Sequence, residues 1–387
     1  MNFEEFKESL KHRKYNWLKI LIRFIEYKFK NFIIDLIINL NLFKFKSKPL
    51  IDLESFSDNR FINFLFFSLK KDFTFLYKKD ENTKKLFKRI GFLNFFKHTF
   101  SNSNSNHNKI KLLMNKKTID KNDLSLNTNY FKYFYNTKSD IPKKKLIMPY
   151  YMYPRIYNSF YKKINIKKEP DFNLRIFFSG SVFKEAYGSF YWKKEPKKFP
   201  NRIEIIDKVL KEFKNDIFLI NSKKDLKSSE ISKKKIILCL HDKMIKKTSY
   251  KLNFKENFNL LNKSCFNLSC AGVVMPLCHH LIEGMKVGSI PITNCEKLLF
   301  PNLDNNTSLI YSNLDQLILK IQQALVMKND EIMYMRNKVF NYYKSQLSPE
   351  NFRINFLKLI SQKDKEIVCC DDHRSVDKFI DNEYSNK

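Results

Sequence analysis

Short apolar runs separated by longer stretches of helical periodicity make up the second half of the chain. The runs lie at 174–181, 217–220, 235–240, 265–268 and 290–292. Apolar runs of this kind, bounded by turn signals, predict buried strands, and apolar residues spaced three and four apart predict the helices between them. Strands that alternate with helices are typical of a mostly parallel sheet. The pattern therefore predicts an α/β domain.

The first half of the chain carries a weaker form of the same pattern. Strands are predicted at 73–77, 110–114 and 145–152, and a helix at 81–100. These signals favour a second, smaller α/β domain ahead of the first. At 387 residues the chain is long enough for two domains, since domains usually have about 100 to 200 residues.

Residues 17–45 are densely apolar, but a charged or polar residue recurs every three to five positions. No uncharged run approaches the ~18 residues that are needed to span a bilayer. The segment 1–48 is therefore predicted to be a basic amphipathic helix. Two interpretations remain open: the helix packs on the adjoining domain, or it docks peripherally on an anionic membrane.

The predicted organisation of the chain follows from these elements. The smaller α/β domain occupies 49–168 and the larger one occupies 169–348, with a C-terminal helix at 349–362. Beyond that helix the periodicity is lost, and 363–387 is predicted to be a disordered tail.

Glycines cluster in one part of the larger domain. Three of the six glycines of the chain, Gly272, Gly284 and Gly288, lie between residues 264 and 294. The local pattern predicts a strand, a turn at Gly272, a helix that begins near Pro276, and a break at Gly288 before the next strand. A helix N-terminus at the carboxyl end of a parallel strand presents unpaired N–H groups and a positive dipole. The unit is therefore a candidate phosphate-binding site.

This stretch resembles the donor-binding half of exostosin-like glycosyltransferases of the GT-B architecture. The matching positions are Phe266, Leu268, Gly272, Glu283, Gly288, Pro291 and Ile292. Upstream, the small-residue turn Ser179–Ser181 and the helix that begins at Arg202 resemble two further family features, so the resemblance covers about 171–360. The chain departs from the family at three positions: Cys278 stands for Ser, His280 for Arg and Gly284 for Ala.

The resemblance implies two Rossmann-type domains with a cleft between them, and transfer of a sugar from a nucleotide donor to a glycan or lipid-linked acceptor. It implies an inverting reaction and a role in surface polysaccharide synthesis. The donor-binding residues are then expected to be Ser179, Gly180, Ser181, Arg202, Gly272, Val273, His279, His280 and Glu283. In that set the helix and turn N–H groups meet the diphosphate, Arg202 and His280 contact phosphate, and Glu283 accepts hydrogen bonds from ribose hydroxyls.

The acceptor side is less defined in the sequence. Tyr150, Tyr151 and Arg155 belong to a segment that is rich in tyrosine and proline. This segment either lines the cleft and stacks on an acceptor sugar, or forms a core strand and linker. A catalytic base is not identified, because no geometric reason selects one among the acidic residues and histidines of the first domain.

Composition narrows the function classes. The net charge of +32 comes almost wholly from lysine, as an AT-biased genome would produce, and no arginine cluster or zinc-finger spacing accompanies it. Nucleic acid is therefore not an expected partner. Asp-x-Asp is absent, so neither a metal nor another cofactor is expected. The seven cysteines form no Cys-x-x-Cys pair, and no signal peptide is visible, which together predict a cytoplasmic protein, with the inner face of the membrane as a peripheral site.

Two alternatives remain open. One is a Rossmann-type protein that uses a nucleotide in a different reaction. The other is a non-catalytic basic protein that binds a membrane or nucleic acid and keeps a degenerate Rossmann core, which the departures at His280 and Gly284 allow.

Overall fold

The computed structural model describes the greater part of the chain after residue 48. The described residues are 49–52, 60–77, 99–101, 109–114, 123–128, 130, 145–153, 156–157, 169–187, 200–241, 250–273, 277–362 and 365–370.

Seven parallel strands form a first sheet. They are β1 (Leu50–Asp52), β2 (Thr74–Tyr77), β3 (Thr99–Ser101), β4 (Lys109–Met114), β5 (Asp123–Asn127), β6 (Lys145–Ile147) and β13 (Glu366–Val368), with helix α1 (Arg60–Leu69) between the first two. The order across the sheet is β3-β2-β1-β4-β5-β13-β6. The order of its first five strands is that of a dinucleotide-binding fold, in which the chain reverses direction across the sheet between β1 and β4.

Six parallel strands form a second sheet. They are β7 (Ile176–Ser181), β8 (Ile217–Leu219), β9 (Ile236–His241), β10 (Phe266–Leu268), β11 (Ile290–Thr293) and β12 (Leu309–Ile310), in the order β12-β11-β10-β7-β9-β8. The helices between and after them are α2 (Lys184–Tyr187), α3 (Arg202–Glu212), α4 (Phe254–Lys263), α5 (His279–Lys286), α6 (Leu314–Val326), α7 (Asn329–Tyr342) and α8 (Pro349–Ile360). The predicted fold class, α/β with two Rossmann-type sheets, is confirmed by this strand pairing.

Local sequence signals account for the helix boundaries. Asn201 accepts a hydrogen bond from the Glu204 N–H, and the Glu204 carboxylate accepts one from the Asn201 N–H, so a complete capping box begins α3. Ser348 caps α8, and Pro349 occupies its first turn. Helix α5 ends just before Gly288. This residue has φ +79°, and the N–H groups of Gly288 and Ser289 donate to carbonyls of the last turn of the helix. The predicted break at Gly288 is therefore a glycine C-cap.

The C-terminal helix returns to the first domain. The ring of Phe352 on α8 packs edge-on against Phe64 of α1, with centroids 5.3 Å apart, and Phe356 does the same against Phe73 at 5.6 Å. Arg353 forms an ion pair with Asp72 just beyond α1. Packing against α1 thus fixes α8, which leads the chain back to the first sheet.

The predicted disordered tail is wrong where the structure describes it. Glu366–Val368 forms β13, which is inserted between β5 and β6 and paired with both. Ile367 and Val368 are fully buried, as are the two cysteines that follow. The segment has too few residues to show strand periodicity by itself, and its burial comes from a gap that the first domain leaves in its own sheet.

Loops from the carboxyl ends of the two sheets contact each other. Tyr130, which follows β5, donates its hydroxyl to the Leu298 carbonyl beyond β11, at 2.9 Å. The N–H of Tyr153, which follows β6, donates to the Glu283 carboxylate on α5 at 3.2 Å. The carboxyl edges of the two Rossmann-type sheets therefore face each other.

Several predictions lie outside the described residues. They are the amphipathic segment 1–48, the helix at 81–98, the tail beyond residue 370, and Arg155. The last positions of the helix predicted at 81–100 belong to β3 instead. In the described part of the chain, no helix combines the length and the hydropathy that crossing a membrane requires.

Replacing a buried residue of β13 tests its place in the sheet. We expect Ile367→Ala to lower the free energy of unfolding by about 2–5 kcal/mol, because Ile367 is fully buried. Ile354→Ala is the matched control, because Ile354 is 43% exposed and its truncation should change stability by about 0.5 kcal/mol at most. Urea unfolding measures both. Equal, small effects would show that β13 does not contribute to the folded core.

Candidate functional site

The predicted donor-site residues meet between β7 and β10, where the strand order of the second sheet reverses. From β7 the chain continues to β8 and β9 on one side, and from β10 it continues to β11 and β12 on the other. Open α/β sheets bind ligands at the carboxyl ends of the two strands that flank such a point. Ser179, Gly180 and Ser181 end β7, and Gly272 and Val273 lie in the loop that follows β10. Topology thus brings these two predicted groups together.

Arg202 joins these two loops from the side. Its Nε and one Nη donate to the Ala271 carbonyl at 3.0 and 2.7 Å, and its other Nη donates to the Ser181 carbonyl at 3.1 Å. The guanidinium also lies 3.9 Å from the ring centroid of Tyr187. Arg202 is 4% exposed, and among the described residues no carboxylate pairs with it. It therefore positions the loops and leaves a buried positive charge that the described residues do not neutralise.

Gly180 makes this arrangement possible. A Cβ at this position would lie 2.7 Å from the Phe178 ring and 3.3 Å from an Arg202 Nη atom. Both contacts are closer than side chains tolerate without a shift of their neighbours. The glycine thus allows Arg202 to lie against the end of β7, where any larger residue would push it away.

Helix α5 begins later than predicted. Its first residue is His279, and Cys278 is the N-cap, with an extended backbone and no side-chain capping bond. The prediction of a start near Pro276 is wrong because Cys278, two residues on, keeps β-type dihedral angles. A helix without a capping side chain keeps N–H donors in its first turn. These donors lie at the same end of the sheet as Arg202, whose Nη approaches the Cys278 sulfur at 3.6 Å.

His280 is the buried polar side chain at this helix start. It is 6% exposed, and both ring nitrogens lack a hydrogen-bond partner within the described residues. Its ring lies 5.7 Å from that of Phe178, against which Arg202 also lies. Burial lowers the pKa of His280 to about 3, helped by the charge of Arg202. The imidazole is therefore neutral at physiological pH and offers one N–H donor.

Glu283 lies one turn further along α5 and is also buried. It is 5% exposed, and its carboxylate accepts the N–H of Tyr153 from the first domain. Burial raises the pKa of Glu283 to about 8. Lys286, one turn further along the same helix, is also only 6% exposed. The π-helical turn Tyr343–Leu347, which follows α7, covers that end of the helix, and the Lys286 ammonium group lies 5.5 Å from the centroid of the Tyr343 ring.

Gly284, one of the departures from the family pattern, is explained by a strand residue beneath it. A Cβ at Gly284 would lie 2.4 Å from the Asn267 side-chain nitrogen and 2.9 Å from its Cγ. That nitrogen donates to the His280 carbonyl at 2.9 Å. Asn267 on β10 therefore occupies the space that an alanine at position 284 would need, and it ties the strand to the first turn of α5.

The predicted acceptor-side tyrosines are in the core. Tyr150 and Tyr151 are 3% and 2% exposed, and their rings stack on each other at 4.8 Å. Their burial fits the second of the two interpretations, a core strand and linker. The residue that sequence reasoning missed is Tyr153, whose ring stacks on Phe254 at 5.2 Å and meets His279 edge-on at 5.6 Å. The same tyrosine- and proline-rich segment signalled it.

Asp52 was also missed. It ends β1, at the point where the first sheet changes direction, and is 8% exposed. The signal was a single carboxylate that ends a short apolar run, Leu50-Ile51-Asp52. Within the described residues, no group of three or more histidine, cysteine or acidic side chains is arranged to hold a metal ion.

Comparisons with known proteins add solved structures at low similarity. Neither a family model nor a curated protein matches the sequence. The N-terminal domain of Candida albicans trehalose-6-phosphate phosphatase aligns with a TM-score of 0.40 and 9% identity, over 82% of this chain and 97% of that chain. A point mutant of S. aureus TarM, in complex with fondaparinux, α-GlcNAc-glycerol and UDP, aligns with a TM-score of 0.32 and 13% identity, over 64% of this chain and 57% of that chain.

A further TarM crystal structure aligns with a TM-score of 0.33 and 14% identity, over 77% of this chain and 57% of that chain. At these scores the alignments carry no conclusion about substrate or reaction. None of the three structures is named as an exostosin-like enzyme, so the resemblance to that family stays a prediction.

Glu283 should give folding a distinct pH dependence. Because its pKa is raised in the folded state from 4.5 to about 8, the folded protein binds more protons than the unfolded chain in that range. Stability is therefore lost as the pH rises through this window. We expect the free energy of unfolding of Glu283→Gln, relative to that of the native protein, to rise steadily between about pH 5 and about pH 8.5. Urea unfolding at several pH values measures this, with the exposed Glu331→Gln as control; a difference that does not change with pH would contradict it.

Proposed function

We propose that the protein is a glycosyltransferase that binds the diphosphate of a nucleotide-sugar donor at the start of α5. The observation that carries the proposal is the combination of buried Arg202 without a carboxylate partner, an α5 N-terminus without a side-chain cap, and His280 with unpartnered ring nitrogens, all within the described residues. All three lie at the carboxyl end of the second sheet, where its strand order reverses.

The electrostatics of this cluster favour a dianionic ligand. The helix N-terminus contributes a positive dipole, and Arg202 contributes a full charge in a place where solvent screens it weakly. The neutral His280 and the Ser179–Ser181 turn add donors without adding opposing charge. The same groups would stabilise the negative charge that develops on a departing nucleoside diphosphate. This supports a reaction in which protein donors, without a metal ion, meet the leaving group.

Glu283 is the proposed contact for ribose or sugar hydroxyls. Its carboxyl group now accepts a hydrogen bond from Tyr153 across the interface between the two domains. A donor bound there would replace this bond, so the Tyr153 segment would move aside when the donor enters and return over it afterwards. Such closure excludes water from the reacting groups.

The acceptor would bind against the first sheet, whose carboxyl edge faces the same interface. Asp52 is the proposed base, because it is the buried carboxylate at the direction change of that sheet. A base on the opposite side from the departing diphosphate is what an inverting transfer requires. A glycan or lipid-linked acceptor, and docking of segment 1–48 on an anionic membrane, remain part of the proposal.

Nucleotide binding tests the donor site. We expect one member of a panel of UDP, GDP, ADP and CDP to raise the melting temperature selectively, since a ligand at about a hundred times its Kd adds about 2.7 kcal/mol of stability. His280→Leu should weaken its binding about tenfold through loss of one hydrogen bond. Ile282→Val on the same helix is the matched control and should bind as the native protein does. Calorimetric titration measures the affinities.

Two outcomes would count against the donor site. If no nucleoside diphosphate stabilises the native protein, the non-catalytic alternative replaces the proposal. If His280→Leu binds as tightly as Ile282→Val, the diphosphate does not lie at the start of α5.

Asp52→Asn tests the base. We expect this variant to bind the selected nucleotide with unchanged affinity and to lose at least about a hundredfold in transfer rate, which is the usual contribution of a positioned general base. Release of nucleoside diphosphate from the corresponding nucleotide sugar, with glycan acceptors present, measures the rate. The native rate in Asp52→Asn would exclude Asp52 as the base.

A further inference from the structure

A cavity lies where helix α8, which leads the chain from the second domain back to the first, meets both domains. Its volume is about 170 Å³. It is bounded by the edge strand β6, by Leu299 and Phe300 in the loop after β11, and by the chain between Gln346 and Asn355. None of its lining residues belongs to the proposed donor site around Arg202, His280 and Glu283. Ligand sites occur preferentially at domain interfaces of this kind.

Unpartnered amides line one side of the cavity. Asn351 and Asn355 are four residues apart on α8 and therefore share a helix face. Neither side chain has a hydrogen-bond partner among the residues that the structure describes. Gln346 joins them from the single π-helical turn Tyr343–Leu347, and its only partner there is the Ser345 hydroxyl at 3.3 Å. Single π turns occur frequently at functional sites.

The chemistry of these amides matches hydroxyl groups. Each amide offers two N–H donors and a carbonyl acceptor, and each hydroxyl both donates and accepts. Three amides around one small cavity can therefore bind a ligand that carries several hydroxyls in fixed directions. A simple apolar ligand would leave the amides of Asn351 and Asn355 without partners.

The other side of the cavity is apolar. Phe300 is 49% exposed, whereas Leu347 and Phe352 are buried. A sugar ring has an apolar C–H face and a rim of hydroxyls, so it fits a cavity with one aromatic side and one amide side. The volume is below the ~300 Å³ at which pockets for drug-sized ligands begin, and it suits one ring.

The described lining residues offer no unpaired positive charge to an anionic ligand. Lys145 is the only charged residue among the described lining residues, and its ammonium group pairs with the Glu366 carboxylate of β13 at 3.3 Å. A phosphorylated or carboxylated sugar would find no free cation among these residues. The ligand class is therefore uncharged.

We propose that this cavity binds a single uncharged sugar unit, with Asn351 and Asn355 hydrogen-bonded to its hydroxyls and Phe300 against its C–H face. That the unit belongs to the acceptor rests on the proposed function. The binding itself does not, since it requires neither the donor nor the transfer reaction.

Saturation-transfer difference NMR and calorimetric titration on the full chain test the proposal. The ligands are the methyl glycosides of glucose, galactose, mannose and N-acetylglucosamine, with glucuronate and glucose 6-phosphate as charged comparators. We expect at least one methyl glycoside to bind and the charged sugars to bind more weakly. Asn351→Ala and Asn355→Ala should each weaken binding about tenfold. Phe300→Ala should reduce the transfer to the ring protons.

The exposed Asn337→Ala on α7 is the matched control and should bind as the native protein does. An unfolding curve for each variant shows that it is folded, and Asn355→Asp, which keeps the shape but introduces a charge, serves where an alanine variant does not fold. Absence of binding by every methyl glycoside, or unchanged binding in the asparagine variants, would overturn the proposal. Tighter binding of a charged sugar would do the same.

The two proposals fail separately. The asparagine variants should keep the stabilisation by nucleoside diphosphate, because they share no residue with the cluster at α5. Loss of sugar binding with retained nucleotide binding supports the cavity, and failure of nucleotide binding in the native protein leaves the sugar titration unaffected.

Discussion

Two buried arginines hold the strand–helix unit of β10 and α5 at its two ends, and the candidate site depends on them. Arg202 donates to the Ala271 carbonyl beyond the carboxyl end of β10. Arg336 donates to the carbonyls of Ser264, just before β10, and Val287, just after α5, and its burial lowers its pKa to about 10. A buried guanidinium must keep acceptors for its donors, so neither end of the unit can shift without a large loss of stability.

Positive charge at one end of this strand–helix unit is not neutralised by its neighbours, and this charge is the main electrostatic feature of the candidate site. Burial keeps His280 neutral and raises the pKa of Glu283 to about 8, so neither side chain offsets the positive charge of Arg202 near neutral pH. The dipole of α5 adds to that charge at the same end. The fold thus concentrates unneutralised positive potential where the two sheets face each other, and this is what an anionic ligand requires.

The return of the chain to the first domain links the two halves. Helix α8 packs on α1, and β13 completes the first sheet between β5 and β6. The first domain is therefore incomplete without residues that follow the second. The cavity beside Asn351 and Asn355 exists because this crossover segment passes along the edge of both domains.

The sequence by itself determined the elements of the second domain and the position of its candidate site. Apolar periodicity and Gly288 are local signals, and they predicted five of the six strands, α3 and the end of α5, because each depends on residues a few positions apart. Only the tertiary structure decided the rest. Burial of Tyr150 and Tyr151, insertion of β13, and the contact between Tyr153 and Glu283 depend on residues far apart in the chain, and no local pattern records which distant surface will cover a given side chain.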